Sequence, residues 1–239
     1  ECDWSSDVCS SDLQLSNLMA AQSSTSQFQT MLPGCIDAAE QRIYRELDLL
    51  STVVTDSTGS LTSGNRNFTL PTTSNGKFIT VQNINVITPV GSTPANGTRR
   101  PLAPIDKSYL DTVWNSSTGS TVPKNFAMID QSNIIVGPWP DANYAVEVIG
   151  TIRPNPLSAT HTTTFLTTYL PDLFIAASMV FASGYMRDFG SQSDNPQQAM
   201  SWEADYQNLI KSAGMEEIRK KWSGPGWSSY STVANPPNR

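Results

Sequence analysis

The chain has 239 residues, with 15 Lys and Arg against 21 Asp and Glu, one His and three Cys, for a formal net charge of −6. Its basic residues cluster only at Arg99-Arg100 and Arg219-Lys220-Lys221, which argues against a sequence-specific nucleic-acid surface, since that needs a patch of cations. A lone imidazole argues against His-assisted nucleophilic chemistry, and the longest apolar stretch, Leu173 to Met186, is about four residues short of a bilayer span.

In chain order, Asp3 to Leu13 (DWSSDVCSSDL) resembles one reading frame of a short-read sequencing adapter. A natural Ser/Asp-rich tail would be equally unstructured, so residues 1–13 are set aside as an expected artefact. With them go Glu1, Asp3, Asp7, Asp12, Cys2 and Cys9 but no Lys or Arg, leaving a net charge of −2 and Cys35 as the remaining thiol. That excludes an intrachain disulfide, a Cys-rich metal site and a CxxC pair from the remainder, and a reduced cytoplasm is the easier fit. If an adapter was joined to a gene fragment, the natural start lies elsewhere and Gln14 need not be near it.

Residues 14–52 read as a helical segment. A weaker helix and a Ser/Thr/Gln linker are expected over 15–32. From Pro33, the residues Ile36, Ala39, Ile43, Leu47 and Leu50 recur at spacings of three and four, with Asp37, Glu40, Gln41, Arg45 and Glu46 between them. This is an amphipathic pattern of about five turns. Pro33 suits a first helical position, and Asp37 and Glu40 near the start suit the helix dipole.

Residues 53–164 shift to Thr, Ser, Asn, Gly and Pro with short β-branched runs, and strands are expected at 66–70, 77–88, 124–130, 133–137 and 144–153. Asn75-Gly76 reads as a hairpin-type turn, and the run Pro138 to Asn143 (PWPDAN) as a tight connection. Residues 106–114 read as a short helix capped by Asp106. Connections too short for βαβ crossovers favour antiparallel pairing, hence a small sheet or sandwich. After a Thr-rich linker at 160–168, residues 165–222 return to helical spacing. One face is Leu170, Leu173, Phe174, Ala177, Val180, Phe181 and Tyr185, ending near Gly190. A second helix is capped by Asn195 with Pro196 first, and carries Ala199, Trp202, Tyr206, Leu209 and Ala213. Residues 223–239, punctuated by Gly224, Pro225, Gly226, Pro236 and Pro237, read as a flexible tail. The expected fold is α+β: a bundle of one amino-terminal and two carboxyl-terminal helices with an inserted antiparallel β-rich domain.

The search for reactive groups yields no catalytic, metal or cofactor constellation. His161 reads as an exposed linker residue and Cys35 as a packing residue, and P-loop, dinucleotide, HExxH and EF-hand spacings do not occur. Glu216-Glu217 with Arg219, Lys220 and Lys221 reads as a solvated, charge-paired helix face. A carboxylate-pair glycosidase stays open in principle, with no pair to nominate. Trp139 between two prolines fits packing on its own strands or a neighbouring subunit better than stacking on a sugar; a carbohydrate- or receptor-binding β module is the alternative function.

Three segments together resemble the head-to-tail adaptor (connector) proteins of tailed bacteriophages, particularly short-tailed ones. They are FQTMLPGCIDAAEQRIYREL (Phe28 to Leu47), IIVGPWPDANYAVEVIGTIRPNPLS (Ile134 to Ser158), and TTYLPDLFIAASMVFASGYMRDFG (Thr167 to Gly190) followed by WEADYQNLI (Trp202 to Ile210). The first carries Ala39, Glu40, Arg42, Ile43, Arg45 and Leu47 in an AExRIxREL core. The resemblance implies a non-enzymatic virion neck protein, made in the bacterial cytoplasm and free of cofactors. It implies a ring, twelve-fold in the relatives, docked on the portal protein and presenting a surface to a tail nozzle or tail tube. Double-stranded DNA would pass without sequence-specific binding, and no membrane is involved. Under this reading Trp227, Tyr230 and Arg239 of the tail are candidate portal contacts, and Trp139, Pro140 and Asp141 a candidate inter-subunit or tail-facing turn.

Overall fold

The structure, a computed structural model, describes residues 15, 26–158, 160–185 and 196–223. The chain divides into two compact units, one made of residues up to Leu50 and from Pro156 onward, the other of Ser51–Asn155. The expected artefact, the helix start near residue 15, the Asn195 cap and the tail beyond Ser223 lie outside the described residues, apart from Leu15 itself.

The first unit is helical: α1 (Ser26–Glu46), α3 (Phe165–Tyr169), α4 (Pro171–Tyr185) and α5 (Pro196–Ser223). α4 packs against both α1 and α5. Its buried residues Leu173, Phe174, Ala176, Ala177, Met179 and Ala182 therefore cover more than one face, as a helix between two others requires. Fully buried Ser178 satisfies its hydroxyl within the helix, donating to the Phe174 carbonyl at 2.8 Å. α1 contributes Ile36, Ala39, Ile43 and Leu47, and α5 contributes Tyr206 and Ala213, to the same core.

Two expectations are corrected here. Pro33 is internal to α1, which starts at Ser26. The buried set Met31, Leu32, Cys35, Ile36 and Ala39 runs through it at helical spacing. Burying Met31 and Leu32 stabilises by roughly 3–6 kcal/mol, which offsets the cost of about 3 kcal/mol for an internal proline. The 160–168 segment is also not all linker, because Thr164 caps α3: its hydroxyl accepts from Thr167 N–H, and the Thr167 hydroxyl accepts from Thr164 N–H. Pro171 then begins α4, where its missing N–H costs nothing.

The second unit holds β1 (Val53–Leu61), β2 (Asn67–Thr69), β3 (Gly76–Thr88), β4 (Thr98–Pro101), β5 (Ala103–Pro104), α2 (Lys107–Val113), β6 (Asn125–Met128), β7 (Asn133–Gly137) and β8 (Tyr144–Pro154). Two four-stranded sheets form, ordered β1-β8-β3-β4 and β2-β7-β6-β5. Pairing is antiparallel except for a parallel β5–β6 step. Alternate residues Tyr144, Val146, Val148 and Ile152 of β8 meet Phe126 of β6 and Ile134 and Val136 of β7 in one core between the sheets. β7 is buried on both faces, because Ile135 packs outward with Ala127 against Leu110 of α2. That double burial explains its unbroken apolar run. Asp106 caps α2 as expected, accepting from Ser108 N–H at 2.8 Å. The turn at Asn75-Gly76 is present, with Gly76 at φ +151°, but the strands on either side belong to different sheets.

Candidate assembly surfaces

In the helical unit, the first and third sequence signatures are joined to each other. Arg42 of α1 donates from Nη1 to Glu203 Oε2 at 2.8 Å and from Nη2 to Glu203 Oε1 at 2.6 Å, a bidentate pair with α5. Its Nε donates to Glu46 Oε1 at 2.9 Å. The guanidinium lies 4.1 Å from the centroid of the fully buried Tyr206 ring. The Tyr206 hydroxyl donates to Glu46 Oε2 at 2.8 Å, and Gln207 Nε2 donates to Glu203 Oε1 at 2.9 Å. Two carboxylates hold the Arg42 guanidinium well above its ordinary range. Arg42 in turn holds the Glu203 carboxyl below the usual one.

Two buried carboxylates carry a second task that sequence periodicity assigned wrongly. Glu40, expected on the polar face near a helix start, is buried mid-helix, and its Oε2 accepts the Leu157 N–H at 2.9 Å. Glu217, expected on a solvated face, is also buried and accepts the Leu50 N–H at 2.9 Å and a Lys220 Nζ–H at 2.8 Å. Leu50 is the last residue of the helical unit before the β unit, and Leu157 the second after it. The two carboxylates therefore satisfy backbone donors at both points where the chain leaves and re-enters the helices.

Burial pushes the Glu40 carboxyl above its ordinary value, helped by the charge of Asp37 and opposed by bonds from Leu157 and Thr164. A raised carboxyl gives the folded chain a proton the unfolded chain has released. Its contribution is thus fully present below the unfolded value of 4.5 and lost as pH rises through the folded one. Glu40→Gln, whose amide carbonyl still accepts from Leu157, should equal or exceed the parent in stability at pH 7.5 and lose that advantage toward pH 4. Urea midpoints at the two pH values check this, and a loss that is larger at pH 7.5 than at pH 4 contradicts it.

In the β unit, the Pro-rich turn is fastened to its own surroundings. Trp139 is half-buried; its Nε1 donates to the Trp114 carbonyl at 3.1 Å, and the Arg66 guanidinium sits 5.4 Å from its ring centroid. Arg66 also pairs with Asp111, which pairs with Lys107 at 2.6 Å. Pro140 is buried, and its carbonyl accepts the Gly64 N–H at 2.9 Å. Asp141 is exposed; its carboxylate accepts from the Tyr144 hydroxyl at 2.7 Å, and the Tyr144 phenol is pushed up to about 12 by burial and by Asp141. Elsewhere, Arg99, half of the basic pair read from sequence, is bidentate to buried Glu147 at 2.8 and 2.9 Å. Asn85 donates to the same carboxylate at 2.9 Å.

Trp227, Tyr230 and Arg239 lie outside the described residues. His161 is exposed, and Cys35 is buried with its thiol 3.3 Å from Met31 Sδ. Sequence reading missed the Arg42–Glu203, Glu40–Leu157, Glu217–Leu50 and Glu147–Arg99 contacts. The charge pairing read near the end of α5 is present at Lys220, whose Nζ lies 2.7 Å from Glu216 Oε1 and 2.8 Å from Glu217 Oε1. Among the described residues no group of three or more His, Cys, Asp or Glu could hold a metal ion. No described helix is long and apolar enough to cross a membrane.

These contacts fasten the helices and the strand exits within one chain, and comparison with known proteins supplies the class. The sequence profile of the SU10 adaptor protein family matches residues 11–228, nearly the whole chain. The chain belongs to that family, the phage head-to-tail adaptors, whose role in the virion neck is structural. No curated protein matches it.

Proposed function

We propose that this chain is the repeating subunit of a ring, twelve-fold as in the resembling family, that joins the portal to the tail nozzle or tail tube and walls part of the DNA channel. The observation that carries this reading is the family match over residues 11–228, together with the network by which Arg42 and Glu46 of the first signature grip Glu203 and Tyr206 of the third. In this reading the helical unit is the ring-forming bundle, with the β unit inserted in it and turned toward the tail or a neighbour. Asp141 is the exposed residue of the Trp139–Pro140–Asp141 turn and the one assigned to that contact. The segment 223–239, through Trp227, Tyr230 and Arg239, is assigned to the portal.

A net charge near −2 without the first thirteen residues suits a wall along which DNA must slide. Each phosphate neutralised by Lys or Arg would add salt-sensitive adhesion. The role needs no cofactor and no catalysis. Deleting residues 224–239 should weaken binding to purified portal rings at least tenfold while leaving the far-UV circular dichroism and the urea midpoint unchanged, a result read by sedimentation of the mixed rings. Undiminished portal binding by the truncated chain would take the tail out of the interface.

A further inference from the structure

The outward face of α5 carries an apolar stripe that none of the contacts above uses. Met200, Ala204, Asn208, Lys211, Met215 and Ile218 recur at spacings of four and three, and all are exposed. The three large apolar ones, Met200, Met215 and Ile218, are 71, 54 and 51% exposed. Tyr206, Ala213 and Glu217 mark the buried side of the same helix. The outward face of α1 is of a different kind. Pro33, Asp37, Gln41 and Arg45 form an exposed row at spacings of four, with exposed Gly34 beside it. The space above Gly34 is open, since a Cβ added there would meet nothing within 4 Å outside its own turn. The row is pre-ordered: Gln41 Nε2 donates to Asp37 Oδ2 at 3.0 Å, and Arg45 Nε donates to the Gln41 carbonyl at 2.9 Å. Among the described residues, Asp37 and Arg45 of α1 and Asp205 and Lys211 of α5 join no ion pair, whereas Arg42, Lys220 and Lys221 of the same two helices all do.

We propose that the α5 stripe packs antiparallel on the outward row of α1 in a second copy, as the side-to-side contact between subunits. This rests on the ring reading above and on the helical unit alone. Both helices carry their unspent charges in the same order, acid before base. A parallel alignment would set like charges together, whereas an antiparallel one sets Lys211 against Asp37 and Asp205 against Arg45. At 1.5 Å of rise per residue these charges are spaced by about 12 Å on α1 and about 9 Å on α5, a mismatch that long side chains span. In that register Asn208 faces Gln41, two amides able to exchange hydrogen bonds. Met215 falls on Gly34, where the missing side chain leaves room for an adaptable thioether. Pairing α5 with the α5 of another copy would match the same charges, but it would set Met200 against Glu216 and Met215 against Ser201. The α5-on-α1 contact also joins unlike faces of the two copies, which is what a ring needs and a closed pair does not.

Disulfide trapping in the full chain tests it, in a Cys2→Ser, Cys9→Ser background that keeps the buried Cys35. Gly34→Cys and Met215→Cys chains, mixed and oxidised on purified portal rings, should give a linked dimer about tenfold above either variant alone, because the contact joins unlike faces. Lys211→Glu on the Met215→Cys chain should lower that yield about three- to tenfold, and Asp37→Lys on the Gly34→Cys chain should restore it. Restoration by the second charge excludes a folding defect. A mixture that forms no link, a Met215→Cys chain that links to itself as readily, or a link indifferent to both charges overturns the proposal. Rings imaged on the portal without the link overturn this contact and keep the ring reading; the absence of both overturns both.

Discussion

Arg42→Ala should lower stability by about 2–4 kcal/mol, because one side chain makes three charge-assisted hydrogen bonds and covers a buried ring. In a chain of this size that is a fall in Tm of roughly 5–15 °C. Removal leaves the Glu46 and Glu203 carboxylates without the one cation that holds them together. Arg42→Lys should recover less than half of the loss, since an ammonium cannot reproduce the fork. The pH dependence is worked from Glu203, whose carboxyl Arg42 depresses. A depressed carboxyl contributes stability that is present above its unfolded value of 4.5 and lost as pH falls through the folded value. The gap between parent and Arg42→Ala should therefore narrow in acid. Urea unfolding at pH 7 and pH 3.5 reads both effects. A loss under about 0.5 kcal/mol at pH 7 would place the network among exposed ion pairs of little consequence.

Gly150→Ala should cost about 2–3 kcal/mol by overpacking. β8 lies between β1 and β3, and Gly150 pairs with Val54 on one side and Val81 on the other. A Cβ there would fall well inside contact distance of the Thr80 carbonyl oxygen and 3.2 Å from the Phe78 ring. The obstacle is backbone in the neighbouring strand, which has no rotamer by which to yield. The strand already departs from regular register between Phe78 and Thr80 and between Val81 and Asn83, and the missing side chain is what lets this irregular stretch close onto β8. Hydrogen exchange should show the loss as faster opening of β3 and β8. Unchanged protection in those strands would contradict the register.

The sequence announced what rests on local chemistry. β7 was expected at its observed bounds, the Asp106 cap was expected at its residue, and the amphipathic patterns of α1 and α5 named Ile43, Tyr206 and Ala213 as inward. It hid what rests on distant partners. β1 was missed because Asp56, Ser57, Gly59 and Ser60 look like a turn; as an edge strand it needs only β8 beside it and carries a bulge between Asp56 and Gly59. β4 was missed because all four of its residues are exposed, so no alternation marks it. Glu40 and Glu217 were assigned to solvent because their backbone partners lie 117 and 167 residues away. A buried carboxylate with a long-range N–H donor leaves no periodic trace. Arg42 stood inside a recognised motif, yet its purpose became visible only when α5 supplied Glu203.

The neck reading is tested most directly by negative-stain imaging of the purified chain mixed with portal rings. The expected result is a second ring of density seated on one end of the portal, with the same rotational symmetry as the subunit count. A chain that stays monomeric and leaves the portal images unaltered contradicts it.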